Sequence, residues 1–409
     1  MTRALRWVNP LTCALSWAAL VFGNGDASNG GGMVATGYLD VLVLTYASSA
    51  VVLGVMALIR HAGGPRWPLM LASLLLIAAL ATMTWQYRSA RTLNLAACLV
   101  LITGTVLAAR EREQGRTGVL RPTWRLLNWF ASLLDKPIET IGPTRSRAAM
   151  RKNTGSFRPL FGLPAEVARV VDEHIADVPV RRYEPTGVQP GLIVYFHGGG
   201  WVVGDVVTHD LPCRALAAQT KRTVISVDYR LAPEHPFPAA IDDALAVTTE
   251  LAKAHRVVVA GDSAGGHLAA VMARKCPSLA GQVLVYPVTD CAEESPSYTR
   301  YGEGFFLTRA TMRYFRDTFL PDPASRSHED ASPLRGASSK TAPAYVLLAE
   351  CDVLHDEGLA YAKKLEAEGT VVTVDEVSGV IHGFFSMQGM AASREATERV
   401  TSWIRKQFS

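Results

Sequence analysis

The chain has 409 residues, which is enough for one large domain and a second region. Only 19% of its residues are charged and its mean hydropathy is positive, so a wholly soluble protein is not expected and part of the chain should lie in lipid. The net charge is only +4 and the sequence carries no nucleic-acid-binding motif, which argues against a nucleic-acid-binding protein.

The N-terminal quarter, residues 1–110, is predicted to be a transmembrane region. A spanning helix needs about 20 mostly apolar residues, and its backbone polar groups must bond to one another. An uncharged stretch at residues 7–25 is ambiguous because it carries several polar residues, whereas three others, at 41–59, 67–87 and 92–109, meet this description, so three or four helices are predicted. The first also resembles a cleaved signal peptide, because Arg3 and Arg6 precede it. We favour an uncleaved helix because no convincing cleavage site follows.

The distribution of arginines predicts the side of the membrane on which the rest of the chain lies. With four helices, the N-terminus, the loop at residues 60–66 and the tail that follows Ala109 share one side, and all three carry arginine. Only Arg88 and Arg91 lie on the other side. Because the more positive side is cytoplasmic, the C-terminal domain is expected in the cytoplasm, whether or not the first segment is removed.

Residues 111–160 are interpreted as a basic connector. Between Arg110 and Arg158 there are eleven Lys or Arg residues and four Asp or Glu residues, and a basic segment just after a membrane helix suits anionic lipid headgroups. Within the connector, residues 123–134 carry repeated Trp, Leu and Phe side chains. They indicate an amphipathic helix that would lie on the membrane, cover an active site or pack as an ordinary helix.

Residues 161–409 alternate between β-rich runs and helix-like segments. Six short apolar runs are typical of strands buried on both faces: 192–196, 223–227, 256–260, 282–286, 345–349 and 371–377. Helix-like segments lie between them, at 211–220, 239–254, 265–275 and 356–368. This alternation predicts an α/β domain with a mostly parallel sheet that is covered by helices on both sides.

One serine stands in a sequence typical of a catalytic nucleophile. The segment Gly261-Asp262-Ser263-Ala264-Gly265 has the form G-x-S-x-G, and it lies between a predicted strand and a predicted helix. In that context the serine occupies a sharp turn, which the flanking glycines allow, close to a helix N-terminus that favours negative charge. We therefore predict that Ser263 is a nucleophile; the alternative is a plain turn.

A second glycine-rich motif, His197-Gly198-Gly199-Gly200-Trp201, directly follows another predicted strand. Successive glycines leave backbone N–H groups accessible, and such groups can bind the oxyanion of a tetrahedral intermediate. The alternative, a flexible glycine loop, is less favoured because the serine motif is also present. The backbone N–H of Ala264, the residue after the nucleophile, is expected to be a further donor.

A serine nucleophile needs a histidine base and a carboxylate that orients this base, in the chain order serine, acid, histidine. Asp352 and His382 each lie just beyond a predicted strand and are the expected acid and base. Asp356 is expected to begin the next helix, whereas Glu350 lies closest to the strand and remains an alternative acid. Four other histidines are candidate bases, but none of them follows the last predicted strand: His209, His235, His267 and His355.

Together these motifs resemble the hormone-sensitive-lipase-like branch of the α/β-hydrolases, also called the GDXG lipolytic family. The matching segments are HGGGW (197–201), VDYRLAPEHPFPAA (227–240), GDSAGG (261–266), DVLHDEG (352–358), HGF (382–384) and, more weakly, ASPLRG (331–336). The resemblance implies an α/β-hydrolase fold that cleaves carboxylic esters through an acyl-serine, with no metal or organic cofactor. It also implies oxyanion donors at Gly199, Gly200 and Ala264.

The resemblance further implies a helical cap built from two segments, at about residues 120–180 and 295–335, so that the connector 111–160 supplies part of the cap. The second segment is rich in aromatic residues, which would line an acyl pocket or simply pack the cap: Tyr298, Tyr301, Phe305, Phe306, Tyr314, Phe315 and Phe319.

The sequence thus predicts a membrane-anchored serine carboxylesterase or lipase that takes a hydrophobic ester as its substrate and contacts the lipid bilayer. Two alternatives would use the same triad: an acyltransferase, and a deacetylase of small molecules. A non-catalytic ligand-binding module is the least favoured alternative because all three triad positions are present. The natural substrate, its acyl-chain length and the oligomeric state do not follow from the sequence.

Overall fold

The computed structural model describes residues 120, 124, 138–156, 162–336 and 341–409, all within the compact unit Ile102–Ser409. Its strands are β1 (Arg169–Ile175), β2 (Val178–Glu184), β3 (Leu192–Phe196), β4 (Thr223–Val227), β5 (Val257–Asp262), β6 (Gly281–Val285), β7 (Ala344–Cys351) and β8 (Val372–Ile381). Its helices are α1 (Ile138–Ile141), α2 (Pro143–Ser156), α3 (Asp210–Thr220), α4 (Ala239–Ala252), α5 (Ala264–Lys275), α6 (Ser297–Arg300), α7 (Arg309–Phe319), α8 (His355–Ala367) and α9 (Ala391–Gln407).

The described strands form one sheet, in the order β1-β2-β4-β3-β5-β6-β7-β8. Strand β2 pairs antiparallel with β1 and β4, whereas all pairs from β4 to β8 are parallel. The predicted α/β domain with a mostly parallel sheet is therefore confirmed. In such a sheet, ligands bind beyond the carboxyl ends of the parallel strands.

The six predicted strands are present, but β5, β7 and β8 extend further than their apolar runs. Strand β5 continues through Asp262, which pairs with Val285 of β6, and β8 continues to Ile381, which pairs with Cys351 of β7. The neighbouring strand supplies the hydrogen bonds for these extra residues, and a hydropathy pattern does not contain that information. As a result, the paired strands place Ser263, which follows β5, and His382, which follows β8, at the same edge of the sheet.

The hairpin formed by β1 and β2 was not predicted, and it corrects the expected extent of the first cap segment. The β1 residues are exposed or half-buried, and the strand carries Arg169, Asp172, Glu173 and His174, so it lacks the apolar run of a buried strand. Strand β1 is held instead by its antiparallel pairing with β2, and β2 in turn pairs with β4 of the sheet. Residues 169–184 therefore belong to the sheet, although the expected cap segment ran to residue 180. The C-terminal helix α9 was also not predicted.

The core of the domain lies on both faces of the central strands. Every residue of β3, β4, β5, β6 and β7 is buried, which matches the continuous apolar runs in the sequence. Helices α3 and α9 pack together, and α4 packs on α5, which in turn contacts β5 and β6. These helices cover the sheet and leave the carboxyl ends of its strands to the loops that follow.

Helices α1, α2, α6 and α7, together with residues 320–336, lie outside the strand–helix alternation, and we refer to them as the cap. Two arginines of the predicted basic connector join α2 to the catalytic domain. Arg147 donates to the carbonyl oxygens of Val202 and Ala232, and Arg151 pairs with Asp205. These two arginines form intramolecular contacts, and contact of the connector with lipid headgroups stays a prediction.

Trp124 is the described residue of the predicted amphipathic helix at 123–134. It is buried in the core, with its ring edge-to-face against Phe384 at 6.4 Å between centroids. Trp124 therefore packs within the catalytic unit, against a residue that lies two positions after His382 in the chain. The remainder of that predicted helix lies outside the described residues.

None of the described helices combines the length and the apolar character needed to cross a membrane. The four predicted spans, at residues 7–25, 41–59, 67–87 and 92–109, lie outside the described part of the chain.

Candidate active site

Ser263 occupies a sharp turn between β5 and α5. Its backbone has φ 57° and ψ −120°, a left-handed conformation that a residue with a side chain rarely adopts. Two glycines make this turn possible: a Cβ on Gly261 would overlap the backbone of Gly265, and one on Gly265 would overlap the carbonyl oxygen of Phe196. The G-x-S-x-G spacing is thus required by close backbone contacts, and the turn presents the serine at the carboxyl edge of the sheet.

The three predicted triad residues lie in one hydrogen-bonded chain. His382 Nε2 is 2.9 Å from Ser263 Oγ, and His382 Nδ1 is 2.6 Å from Asp352 Oδ2. A carboxylate can only accept, so Nδ1 carries the proton and Nε2 is free to accept from the serine hydroxyl. The side chains are buried, and Asp352 also accepts from the backbone N–H of Leu354 at 3.0 Å.

The competing acids and bases lie elsewhere. The side chain of Glu350 accepts from the backbone N–H of Gly379, and Asp356 lies in the first turn of α8 and pairs with Arg300. The alternative histidines are also engaged away from Ser263 Oγ. His355 contacts Asp356, His267 contacts Trp201, and His209 contacts Asp262. The geometry therefore joins Ser263 to Asp352 and His382 and to none of these described competitors.

The glycine motif at 197–201 forms a tight loop beside Ser263. Gly199 has φ +124° and Gly200 has φ +57°, and Val203 donates back to the carbonyl oxygen of Gly199 at 2.9 Å. Among the described residues, no hydrogen bond uses the backbone N–H of Gly199, Gly200 or Ala264. These three predicted donors are therefore available to an oxyanion. The N–H of Gly198 is not, because it donates to Asp262 at 3.1 Å.

Asp262 joins the serine motif to the glycine motif, a role that was not predicted from the sequence. Its Oδ1 accepts from the Tyr195 hydroxyl at 2.6 Å as well as from Gly198, and its Oδ2 is 3.4 Å from Nε2 of His209. Burial opposes the charged form of Asp262, but His209 and Tyr195 outweigh burial and hold its pKa below the usual range. Burial likewise opposes protonation of His209, but Asp262 outweighs it and raises the His209 pKa.

His197 stabilises the same loop through its contacts with Tyr229. Its ring stacks on Tyr229, with 4.2 Å between centroids, and the Tyr229 hydroxyl donates to the His197 carbonyl oxygen at 2.7 Å. Burial, and then the nearby His209, lowers the pKa of His197 to about 4. His197 is thus a neutral packing residue at ordinary pH, whereas in the neighbouring pair the charged forms of Asp262 and His209 favour each other. One feature of the sequence could have indicated this cluster: the glycine motif begins where β3 ends and the serine motif begins near the end of β5, and these two strands are adjacent and parallel.

Aromatic residues of the cap lie directly over the glycine motif. A Cβ on Gly200 would overlap the ring of Phe315, and Phe319 stacks on Trp201 with 4.4 Å between centroids. Phe306 is 47% exposed and its ring lies beside Gly383, next to His382. A small cleft lies between α7 and the loop that follows β6, and Trp201, Val288 and Met312 are among the residues that line it. Phe315 and Phe319 therefore pack the cap onto the loop, whereas Phe306 presents an apolar surface near the base.

Over the described ranges, no group of three or more His, Cys, Asp or Glu side chains is arranged to hold a metal ion. Asp262 and His209 do form a buried pair, but they bond to each other and to the glycine loop.

Comparison with known proteins identifies the fold family. Residues 193–386 match the family model described as the alpha/beta hydrolase fold. The chain is 42% identical over 231 residues to ethyl acetate hydrolase from Pseudomonas putida, an alignment that covers 51% of this chain and 72% of that protein. It is 36% identical over 281 residues to carboxylesterase NlhH from Mycobacterium tuberculosis, covering 64% of this chain and 88% of the relative.

Solved structures agree with the sequence relatives. An ester hydrolase from the metagenome of Lake Arreo, solved in complex with a bipyridine phosphonate derivative, superposes with a TM-score of 0.66 at 36% identity, covering 71% of this chain and 99% of that one. A hyperthermophilic esterase from Pyrobaculum calidifontis superposes with a TM-score of 0.65 at 33% identity, covering 70% and 98%. With its sheet, its serine turn and these relatives, the chain belongs to the α/β-hydrolase family and is a carboxylic ester hydrolase.

Proposed function

We propose that this protein is a membrane-anchored serine carboxylesterase of the hormone-sensitive-lipase-like branch, and that it hydrolyses a hydrophobic ester through an acyl intermediate on Ser263. The observation that carries the proposal is the hydrogen-bonded chain from Ser263 Oγ through His382 to Asp352, with distances of 2.9 and 2.6 Å. Such a chain is the arrangement that converts a weakly nucleophilic hydroxyl into an attacking group.

In the first half of the reaction, His382 Nε2 takes the hydroxyl proton as Ser263 Oγ attacks the ester carbonyl carbon. Asp352 holds the Nδ1–H tautomer and stabilises the imidazolium that forms. Negative charge then develops on the carbonyl oxygen. The N–H groups of Gly199, Gly200 and Ala264, which make no hydrogen bond within the described part of the chain, would donate to that oxygen.

In the second half, the imidazolium returns its proton to the departing alcohol, and the acyl group stays on Ser263. Water then attacks the acyl carbon while His382 again serves as base, and collapse of the second tetrahedral intermediate releases the acid. Asp262 takes no part in proton transfer. It holds the glycine loop through Gly198, so the oxyanion donors keep their position relative to the serine.

Two observations support a hydrophobic substrate and attachment to a membrane. Phe306 keeps a large apolar surface exposed beside the catalytic histidine, as expected of a residue that contacts an apolar ester. In addition, four uncharged stretches precede the α/β domain at residues 161–409, and the arginines that flank them predict a cytoplasmic catalytic domain. An enzyme held at the bilayer in this way would take esters dissolved in lipid.

The proposal is tested by hydrolysis of p-nitrophenyl esters with acyl chains of two to sixteen carbons, by the full-length protein in detergent. We expect Ser263→Ala and His382→Ala to lower kcat by several orders of magnitude without unfolding the domain. The matched control is His355→Ala, which removes a histidine at the start of α8 that contacts Asp356 and Glu376, not the serine. This control should keep wild-type activity.

The chain-length optimum then decides the substrate class. An optimum beyond two carbons supports the hydrophobic ester, whereas strict preference for acetyl esters indicates a small-molecule deacetylase. Acyl transfer to added alcohols or amines that outcompetes hydrolysis would identify an acyltransferase. Wild-type activity in Ser263→Ala would refute the triad.

A further inference from the structure

His267 is a fully buried titratable residue that the proposed reaction does not use. It lies in the first turn of α5, where its backbone N–H donates to the carbonyl oxygen of Ser263 at 3.0 Å. Its position relative to the nucleophile is therefore set by the helix itself. Any group that bonds to the His267 ring is held at a defined place relative to Ser263.

Both ring nitrogens of His267 are engaged, and only one protonation state satisfies both contacts. The Trp201 indole Nε1 lies 3.2 Å from Nδ1, and the Asp330 carbonyl oxygen lies 2.9 Å from Nε2. An indole N–H can only donate and a carbonyl can only accept, so Nδ1 is the acceptor and Nε2 carries the proton. Burial lowers the pKa of His267 to about 4, which agrees with a neutral ring.

Trp201 is the residue that directly follows Gly200, one of the free oxyanion donors. Its backbone has φ +59°, a left-handed conformation that is unfavourable for a bulky side chain. Such a conformation persists only where surrounding contacts hold it. Three contacts do so here: the bond from the indole to His267, the stacking on Phe319 and a bond from Ala232 N–H to the Trp201 carbonyl oxygen at 2.9 Å.

We propose that His267 is a positioning residue that ties the oxyanion loop to the nucleophile helix through Trp201. Two of the oxyanion donors, Gly199 and Gly200, belong to the loop, while the third, Ala264, belongs to the helix together with Ser263. A tetrahedral intermediate must contact both parts at once. The bond between Trp201 and His267 joins the two parts directly, so it keeps the donors of the loop at a fixed distance from the serine.

The bond to Asp330 extends this connection to the cap. Asp330 immediately precedes the segment 331–336, and its carboxylate pairs with Lys275 at 2.8 Å, at the far end of the same helix. The His267 ring therefore joins three parts of the domain. It belongs to α5, it accepts from Trp201 of the oxyanion loop, and it donates to Asp330 of the cap.

The inference rests on the proposed function, and its test compares His267→Phe, Trp201→Phe and the double variant with wild type on one soluble p-nitrophenyl ester. Displacing oxyanion donors weakens binding of the transition state and leaves binding of the ground-state ester nearly intact. We expect each single variant to lower kcat about 10-fold or more, with KM within about threefold of wild type. The double variant should be no slower than the slower single variant, because both substitutions break the same bond.

Two further variants separate positioning from general stability. His267→Asn keeps an acceptor near the Nδ1 position and should recover most of the lost kcat. Leu268→Ala removes a buried side chain at the next position of the helix and leaves the hydrogen bond between Trp201 and His267 intact. It should lower Tm at least as much as His267→Phe does, yet leave kcat near the wild-type value.

The outcomes distinguish failure of the inference from failure of the proposed function. If Ser263→Ala abolishes activity but His267→Phe keeps kcat within threefold of wild type, or if the two single effects multiply in the double variant, the positioning role is wrong and the triad stands. If Ser263→Ala itself remains active, the proposed function fails and the inference fails with it.

Discussion

Asp262 and His209 show how a single buried pair supports the site at the scale of residues. Removing a carboxylate from water is costly, and Asp262 remains charged because His209, Tyr195 and the Gly198 N–H surround it. One oxygen of this carboxylate holds the glycine loop, and the other faces the histidine. The pair thus links the charge state of His209 to the stability of the segment that carries the oxyanion donors.

The raised pKa of His209 predicts a specific dependence of stability on pH. Because the folded protein binds the His209 proton more tightly than the unfolded chain does, this stabilisation is complete below pH 6.5, the ordinary pKa of histidine, and is lost as pH rises through the higher folded-state value. Each tenfold difference in proton affinity between the two states contributes about 1.4 kcal/mol.

The measurement is the free energy of unfolding in urea between pH 6 and pH 9, for wild type and for His209→Phe. The stability difference between the two proteins should shrink as pH rises, since the wild type alone loses the His209 contribution. A difference that stays constant over this range would show that His209 does not gain a proton on folding. Comparing the two proteins cancels the titration of the other histidines.

At the scale of secondary-structure elements, the site depends on how closely α5 approaches the end of β3. Gly265 lies in the first turn of α5, where a Cβ would overlap the backbone carbonyl oxygen of Phe196. Backbone atoms cannot move aside as a flexible side chain can. The contact therefore sets the distance between the nucleophile helix and the strand that leads into the glycine motif.

Gly265→Ala should cost more than about 3 kcal/mol of unfolding free energy, or prevent folding, because the helix must move away from the sheet. Gly187→Ala is the matched control: Gly187 has φ +75° but open space around its Cβ position, so only the backbone strain of about 1–2 kcal/mol applies. Urea denaturation of both variants makes the comparison. Equal losses would mean that the close approach at Phe196 is not required.

Helix α2 shows a second relation between elements, since it bonds to the segment that follows the glycine motif. Arg147 donates to the carbonyl oxygen of Val202 at 2.8 Å and pairs with Glu234 at 2.7 Å. The basic composition of the connector suggested contact with lipid headgroups, but this arginine holds the cap to the catalytic domain. Composition alone does not distinguish these roles, because a guanidinium suits a phosphate and a carboxylate equally well.

At the scale of the whole molecule, the catalytic unit follows 101 residues that contain most of the uncharged stretches. We predict that the full-length protein stays in the membrane fraction after a wash with alkaline carbonate, because such a wash removes proteins held only by surface charge. A reporter fused to the C-terminus that is active only in the cytoplasm should be active. Release of the protein by carbonate would overturn the anchoring, and an inactive reporter on an extracted protein would overturn the orientation.

Several features of this protein follow from the sequence alone. The buried strands are short apolar runs, so β3, β4 and β6 are predictable to within one residue at each end. The order of serine, acid and histidine along the chain was enough to select Ser263, Asp352 and His382, because each follows a strand whose carboxyl end faces the same edge of the sheet. These are local patterns combined with one rule of topology.

Only the tertiary structure decided the rest. The β1–β2 hairpin is held by its pairing with the sheet and lacks an apolar run, and the role of Asp262 depends on a residue 64 positions away in the chain. The same is true of His267, whose ring meets Trp201 across 66 positions and Asp330 across 63. A local pattern identifies residues that are chemically able to react, but hydrogen bonds between distant segments position them, and those bonds exist only once the chain has folded.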